Sequence, residues 1–187
     1  MSLEALLSAY LLQAMITWAP PSDHDWKEPR IATEAHYLSI ADDMAHVAMD
    51  PLEPPLFEGG DGRARTALYL LAIVSFESGG FRLDVDREDR PTGDGGKAWC
   101  LAQLHDRFAR GLTDRVSCFR HELAAVRESW RMCPYPSLAD RLTGYTVGRC
   151  VSAETQARHR VERWTSYWSR HPFVREAETL ASGVGRP

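Results

Sequence analysis

Apolar residues recur at helical spacing along most of the chain, which predicts a mainly helical protein. The first such pattern covers residues 2–18 and the second covers residues 31–49. Between them, the prolines of residues 19–30 cannot continue a helix, and this stretch is predicted to be a linker. Helical patterns return over about residues 114–132, 137–148 and 155–170. The last residues, from about Ala181, are predicted to be frayed.

The most apolar stretch covers residues 63–78 and is hydrophobic on every side. This pattern is typical of a central helix enclosed by others. It stops at Gly79-Gly80, where glycine supplies the left-handed residue that commonly ends a helix. Residues 81–104 are too rich in glycine and aspartate for a long helix, so we expect a small β-hairpin there. The predicted fold class is therefore mainly α, an α+β arrangement with one small β-hairpin region around a central buried helix.

With 187 residues, the chain has the length of one ordinary domain. We expect a single domain over residues 1–187, divided as follows: an N-terminal helical extension at 1–50, a linker loop at 51–62, a core at 63–150 and C-terminal helices at 151–187. No apolar run is long enough to span a membrane, and no basic residue precedes the first apolar run, so we expect no signal peptide. The net charge of -4 argues against a nucleic-acid partner.

Glu77 lies on the last turn of the predicted central helix. The helix dipole places partial negative charge there, and the surroundings are apolar, so both effects disfavour the ionised carboxylate. We therefore expect a raised pKa, which suits a group that donates a proton near neutral pH. The alternative is a structural glutamate that reaches solvent at the helix end.

Three short segments resemble the catalytic core of the lysozyme-like muramidase superfamily, which includes lytic transglycosylases and goose-type lysozymes. In that superfamily a Glu-Ser-Gly turn closes a core helix and supplies the catalytic acid, as Glu77-Ser78-Gly79 does here. A Gly-Leu-Met-Gln segment then lines the sugar cleft, and Cys100-Leu101-Ala102-Gln103 stands in its place. Tyr145-Thr146-Val147-Gly148 is similar to the family's Tyr-Asn-x-Gly element. The resemblance covers about residues 63–150, and it departs from the goose-type pattern at His105, where a second aspartate is usual.

The resemblance implies a lysozyme-like fold and cleavage of the β-1,4 bond between N-acetylmuramic acid and N-acetylglucosamine in peptidoglycan, with Glu77 as general acid. In one route the muramyl 6-hydroxyl attacks its own anomeric carbon and leaves a 1,6-anhydro end. In the other, Asp94 (or else Asp84 or Asp86) positions a water, and the bond is hydrolysed with inversion. The position of Asp94 slightly favours hydrolysis. The alternative is that Asp94 is only a turn residue, because glycines flank it.

The same resemblance implies four substrate-binding residues. Gln103 and Tyr145 would contact the sugar or the Glu77 carboxyl, and Trp99 and Leu101 would belong to the cleft wall. Each has an alternative role as a packing residue. No zinc-binding spacing is present, so neither a metal nor another cofactor is expected.

The four cysteines are Cys100, Cys118, Cys133 and Cys150. The two that flank the helix predicted over residues 114–132 lie about 22 Å apart, too far to bond. If that helix and the next form an antiparallel hairpin, Cys118 and Cys150 meet at its open end. We therefore predict a Cys118–Cys150 disulfide in an oxidising compartment, with Cys100 and Cys133 free. Four buried thiols in a cytoplasmic protein are the alternative.

These expectations describe a protein synthesised in the cytoplasm that acts on glycan strands of the cell wall, in the periplasm or outside the cell. Without a signal peptide it would get there by phage release, as an endolysin or a virion component, or by a dedicated export route. A rival hypothesis is a non-catalytic, lysozyme-like structural or binding protein of a virion or secretion machine. Its partners would bind through the N-terminal region.

Overall fold

The computed structural model describes residues 2–21, 30–152 and 154–173, and within them the chain is mainly helical with one small antiparallel sheet. This confirms the predicted fold class. The predicted linker at 19–30 lies mostly outside these residues, and the predicted fraying from Ala181 lies wholly outside them. The elements are α1 (Leu3–Trp18), α2 (Arg30–Met49), α3 (Gly62–Glu77), β1 (Ala98–Trp99), β2 (Leu104–His105), α4 (Asp106–Ala109), α5 (Arg115–Met132), α6 (Leu138–Thr146) and α7 (Thr155–Arg170).

The chain divides into two compact units, one formed by residues 1–68 with 165–187 and the other by residues 69–164. In the first unit α1 packs on α2, and Leu7 and Leu11 are fully buried. The ring of Tyr10 meets that of Tyr167 edge-on, with centroids 5.6 Å apart. The first unit is therefore held by apolar and aromatic packing.

The second unit contains the end of α3 and the candidate chemistry. Every residue from Tyr69 to Val74 is fully buried, as the pattern of this stretch predicted. The Tyr69 ring lies edge-on to Trp130 of α5 and to Trp164 of α7, at 5.8 and 5.6 Å between centroids. α3 ends at Glu77, and Gly79 and Gly80 follow it, both with positive φ.

A short hairpin follows α3, smaller than the predicted region of residues 81–104. β1 pairs with β2 in antiparallel register, Ala98 opposite His105 and Trp99 opposite Leu104. The tight turn between them begins at Cys100 and ends at Gln103, both with positive φ (54° and 47°). This turn fixes the segment that the sequence assigned to the sugar cleft.

The disulfide prediction is wrong. Cys100 bonds to Cys118 and Cys133 bonds to Cys150, so there is no Cys118–Cys150 bond and none of the four is free. The physical reason is the length of α6. Its nine residues span about 13 Å, whereas Cys118 lies about 22 Å from Cys133 along α5, so α6 itself stops short of Cys118. The chain after α6 then returns to the end of α5, where Cys150 Sγ lies 3.2 Å from the carbonyl oxygen of Met132.

Candidate active site

The second unit encloses a cavity of about 500 Å³. Its lining includes Glu77 at the end of α3 and Gln103 and Tyr145 from the segments that resemble the muramidases. The lining also includes four ionisable residues that were not predicted as site residues: His105, Arg107, Glu128 and Arg160. A pocket of this size with convergent polar groups is typical of a ligand-binding site.

Glu77 is held by an arginine of α7. Its Oε1 accepts hydrogen bonds from Arg160 Nη2 at 2.6 Å and from Arg160 Nε at 3.1 Å. The side chains of Arg160 and Glu77 are only 7% and 19% exposed, so water screens this ion pair weakly. Among the described residues, no hydrogen bond reaches Oε2 of Glu77. One carboxyl oxygen is therefore fixed and the other is left for a ligand or a proton.

Arg160 is itself positioned by its own helix and by α3. Its Nη1 donates to the carbonyl oxygen of Gln156 at 2.8 Å, one turn earlier on α7. Its guanidinium carbon lies 5.3 Å from the ring centroid of Phe76, the residue before Glu77. The arginine therefore has a defined place beside the carboxyl in the absence of any ligand.

Burial raises the pKa of the Glu77 carboxyl above its ordinary value, as the sequence predicted. Arg160 opposes this shift through its charge and its hydrogen bonds, and the charge of His105 opposes it further, but desolvation is the largest effect. A raised carboxyl pKa beside a cavity is the property expected of a general acid.

A second carboxyl in this unit is more deeply buried. Glu122 of α5 has no exposed surface, and neither of its oxygens has a hydrogen-bond partner among the described residues. Burial raises its pKa well above the ordinary value, and the negative charge of Glu77 raises it further. The Tyr145 hydroxyl also has a pKa well above its ordinary range, first because of burial and then because of Glu77 and Glu122.

Gln103 and Tyr145 line the cavity, but Nε2 of Gln103 and the hydroxyl of Tyr145 donate hydrogen bonds within the protein. Gln103 Nε2 donates to the Cys100 carbonyl oxygen at 2.8 Å, and the Tyr145 hydroxyl donates to the Ala102 carbonyl oxygen at 2.8 Å. Gly93 is required for this arrangement, because a Cβ there would lie 1.6 Å from Oε1 of Gln103. Both residues therefore hold the hairpin turn in place at the cavity wall.

The remaining predicted site residues are not brought to the cavity lining. Asp94 is in an exposed turn with φ 46°, and its Oδ2 lies 3.5 Å from Nε2 of His105. Trp99 is half-buried on β1, and Leu101 is fully buried in the core. The structure thus assembles Glu77, Gln103 and Tyr145 around one cavity and places Asp94, Trp99 and Leu101 elsewhere.

Arg160 and Glu122 were not predicted as site residues, although the sequence around each contains a recognisable pattern. Glu122 lies four residues after Cys118 and four before Val126, both fully buried, so it occupies the apolar face of α5. Arg160 lies four residues before Trp164, a buried residue of α7, and is itself 6% exposed. A charged residue at apolar helical spacing is the pattern that would have identified both.

Within the described ranges, no group of three or more histidine, cysteine, aspartate or glutamate side chains is arranged to hold a metal ion. In the same residues, no helix combines the length and the apolar character needed to cross a membrane. No protein-family model, curated protein or solved structure matches this chain.

Proposed function

We propose that this protein is a peptidoglycan-cleaving glycosidase that cuts the β-1,4 bond between N-acetylmuramic acid and N-acetylglucosamine. The observation that carries the proposal is Glu77, a carboxyl with a raised pKa that lines a cavity of about 500 Å³. It stands at the end of a buried helix, and the resemblance to lysozyme-like muramidases assigns the catalytic acid to this position. In this proposal the cavity receives the glycan strand.

The chemistry requires Glu77 to give a proton to the leaving oxygen while positive charge develops on the sugar ring. Oε1 is bonded to Arg160, so Oε2 is the oxygen available to carry that proton. Once the proton has left, the carboxylate is stabilised by Arg160 at 2.6 Å. The same carboxylate can then take up a proton from the nucleophile that completes the reaction.

The placement of Asp94 supports the route that needs one carboxyl. The Asp94 side chain is 64% exposed and lies outside the cavity lining. Attack by the muramyl 6-hydroxyl needs no second carboxyl, and it leaves a 1,6-anhydro product. We therefore propose lytic transglycosylation as the main reaction, and water activation by Asp94 stays a prediction. Mass analysis of the released muropeptides tests this, because anhydro ends differ from reducing ends by one water.

Clearing of purified sacculi tests the assignment of Glu77. We expect Glu77→Gln to lower the rate of sacculus clearing at least about 100-fold, because general acid catalysis contributes that much or more. Glu162→Gln is the matched control, since Glu162 is exposed on α7 and its ion pair among the described residues is with Arg158. Equal clearing by the wild type and Glu77→Gln would contradict the acid role.

The rival proposal is a non-catalytic, lysozyme-like structural or binding protein of a virion or secretion machine. The internal bonds of Glu77, Gln103 and Tyr145 favour it, because each side chain is already partnered within the unit. No clearing by either protein, together with retention of both on insoluble sacculi, would support the rival. The phage or export setting belongs to both proposals, and fractionation of the producing cells before and after lysis tests it.

A further inference from the structure

Both carboxyl groups that line the cavity already have an arginine partner. Glu77 accepts its two hydrogen bonds from Arg160, and Nη2 of Arg131 donates to both oxygens of Glu128 at 2.8 Å. Each of these pairs is neutral when its carboxyl is ionised. The lining contains one further arginine, Arg107, which belongs to neither pair. The cavity therefore has one arginine whose positive charge its own carboxyls do not neutralise.

Arg107 is an exposed residue of α4. Among the side chains that the structure describes, it makes neither a hydrogen bond nor an ion pair, whereas His105 of the same lining lies 3.5 Å from a carboxyl oxygen of Asp94. The guanidinium carbon of Arg107 lies 4.4 Å from the ring centroid of Phe108, which also lines the cavity. A guanidinium stacked on a ring keeps its N–H donors available to a planar acceptor such as a carboxylate.

Helix α5 shows how the cavity extends away from Arg107. Nδ1 of His121 lies 2.6 Å from the carbonyl oxygen of Phe108, which fastens α4 to α5 next to Arg107. Farther along, a Cβ on Gly144 would lie 2.4 Å from Cε of Met132, so α6 packs closely against the end of α5. His121 and Met132 are eleven positions apart, which is about 16 Å along a helix. Since Phe108 and Gly144 both line the cavity, it is an elongated cleft with Arg107 at the α4 end.

The proposed acid lines this same cleft, so a strand bound for cleavage at Glu77 lies in the cavity that contains Arg107. The sugar rings of a peptidoglycan strand are uncharged near neutral pH. Its negative charges are carboxylates, which belong to the lactyl group of N-acetylmuramic acid or to the peptide attached to that group. An arginine binds a carboxylate through two parallel N–H donors, which gives both affinity and orientation.

Building on the proposed glycosidase, we propose that Arg107 is a specificity-determining residue that binds a carboxylate of the muramyl substituent. The enzyme would thereby select strands that carry this charge over neutral glycan. The lactyl carboxylate and a peptide carboxylate share this chemistry, and the experiment below separates them.

The test measures the binding of soluble disaccharides to the full chain by NMR chemical-shift titration, which detects weak as well as tight binding. N-acetylglucosaminyl-N-acetylmuramic acid lacks the bond that the enzyme is proposed to cut, so the wild type can be titrated without turnover. Three forms are compared: the disaccharide with a free lactyl carboxylate, the disaccharide with its peptide, and the peptide form whose carboxyls have been converted to amides.

We expect the wild type to bind a carboxylate-bearing form about tenfold more tightly than the amidated form, the lower end of what hydrogen bonds to a charged group contribute. In Arg107→Gln this preference should disappear, while the affinity for the amidated form stays that of the wild type. A preference confined to the peptide form assigns the bound group to the peptide. A preference confined to the free lactyl form assigns it to the lactyl group, which is an amide once the peptide is attached.

Two further variants serve as controls. Arg107→Lys keeps the charge but loses the planar arrangement of donors, so it should retain part of the preference. Arg110→Gln removes an exposed arginine of the same segment that lies outside the cavity lining, and it should retain the whole preference.

The inference is overturned if Arg107→Gln has the affinities of the wild type, or if it loses affinity equally for the amidated form. It is also overturned if the wild type binds none of the three forms or does not discriminate between them. That last comparison needs no variant, so the test remains decisive even if Arg107→Gln does not fold.

The outcomes for Arg107 and for the enzyme are separable. A wild type that discriminates between the ligands but does not clear sacculi contradicts the proposed glycosidase and supports the carboxylate site. A protein that clears sacculi, but whose ligand affinities are unchanged in Arg107→Gln, contradicts the carboxylate site alone.

Discussion

Two of the arginine–carboxylate pairs in the second unit, one exposed and one buried, differ in almost every respect except chemistry. In the exposed pair, Arg87 reaches both oxygens of Asp89, each at 3.0 Å, and the two side chains are 42% and 64% exposed. In the buried pair, Arg160 donates two hydrogen bonds, from Nε and Nη2, to the same oxygen of Glu77, Oε1.

The pKa shifts of the two acids run in opposite directions. The hydrogen bonds from Arg87 lower the pKa of Asp89. Burial raises the pKa of Glu77, although Arg160 is just as close. An arginine therefore determines the pKa of a partner that water still reaches, and it only moderates the pKa of one that water does not reach. This is the difference between a surface pair and a group suited to acid catalysis.

The largest stability effect that bears on this comparison should come from the Cys133–Cys150 bond. It closes a 17-residue separation around α6, so the double variant Cys133→Ser/Cys150→Ser should lose about 3 kcal/mol of unfolding free energy. A looser enclosure admits water, so the pKa of Glu77 should move towards its ordinary value while that of Asp89 stays in place. Denaturant unfolding and the carboxyl titrations measure both. An unchanged Glu77 titration in the variant would show that this bond does not maintain the burial.

The next largest expected effect on stability is that of Arg160→Met, which we compare with Arg87→Met. Loss of Arg160 removes an influence that lowers the Glu77 pKa, so that pKa should rise further. The stability that Arg160 contributes is present where Glu77 is ionised and disappears as the pH falls and Glu77 takes up a proton. We expect a loss of about 2 kcal/mol of unfolding free energy at pH 8, the size of hydrogen bonds to a charged group, that narrows at pH 5, measured by thermal unfolding. Arg87→Met should show no resolvable change in stability at either pH. Equal losses of stability in the two variants would contradict the distinction between the buried and the exposed pair.

The smallest effect concerns the stability cost of Glu122. Because its folded-state pKa is raised, the stability associated with its proton is fully present below the unfolded pKa of about 4.3 and is lost as the pH rises towards the folded pKa. Glu122→Gln should therefore have a higher melting temperature than the wild type at pH 8, by about 2–4 °C for each kcal/mol of unfolding free energy gained. Near pH 4 the two melting temperatures should approach each other. Glu162→Gln is again the control, and a pH-independent difference would contradict a protonated Glu122.

The helices and the proposed acid were accessible from the sequence because they depend on local patterns. Apolar periodicity located α3, and its final turn, followed by Gly79 and Gly80, placed Glu77 at a buried helix end. The two-residue strands of the hairpin are shorter than the predicted region, because positive φ at Cys100 and Gln103 confines the pairing to a tight turn.

The partners of Glu77 were not accessible in this way because they are set by tertiary packing. Arg160 is 83 residues away along the chain, and its local sequence does not predict which acidic residue it will pair with. The resemblance to goose-type lysozymes made Asp94 a catalytic candidate, yet its side chain is exposed in a turn. The cysteine pairing depended on the length of α6 relative to α5, which a pattern of apolar residues gives only approximately.

The observed cysteine connectivity joins cysteines that follow one another along the chain, the first with the second (Cys100 with Cys118) and the third with the fourth (Cys133 with Cys150). Of the three ways to pair four cysteines, this is the one that does not interleave or nest its loops. A polypeptide that enters an oxidising compartment N-terminus first can complete each correct crosslink when the second cysteine of the pair arrives. Its oxidative maturation should therefore proceed without the slow reshuffling that an isomerase accelerates.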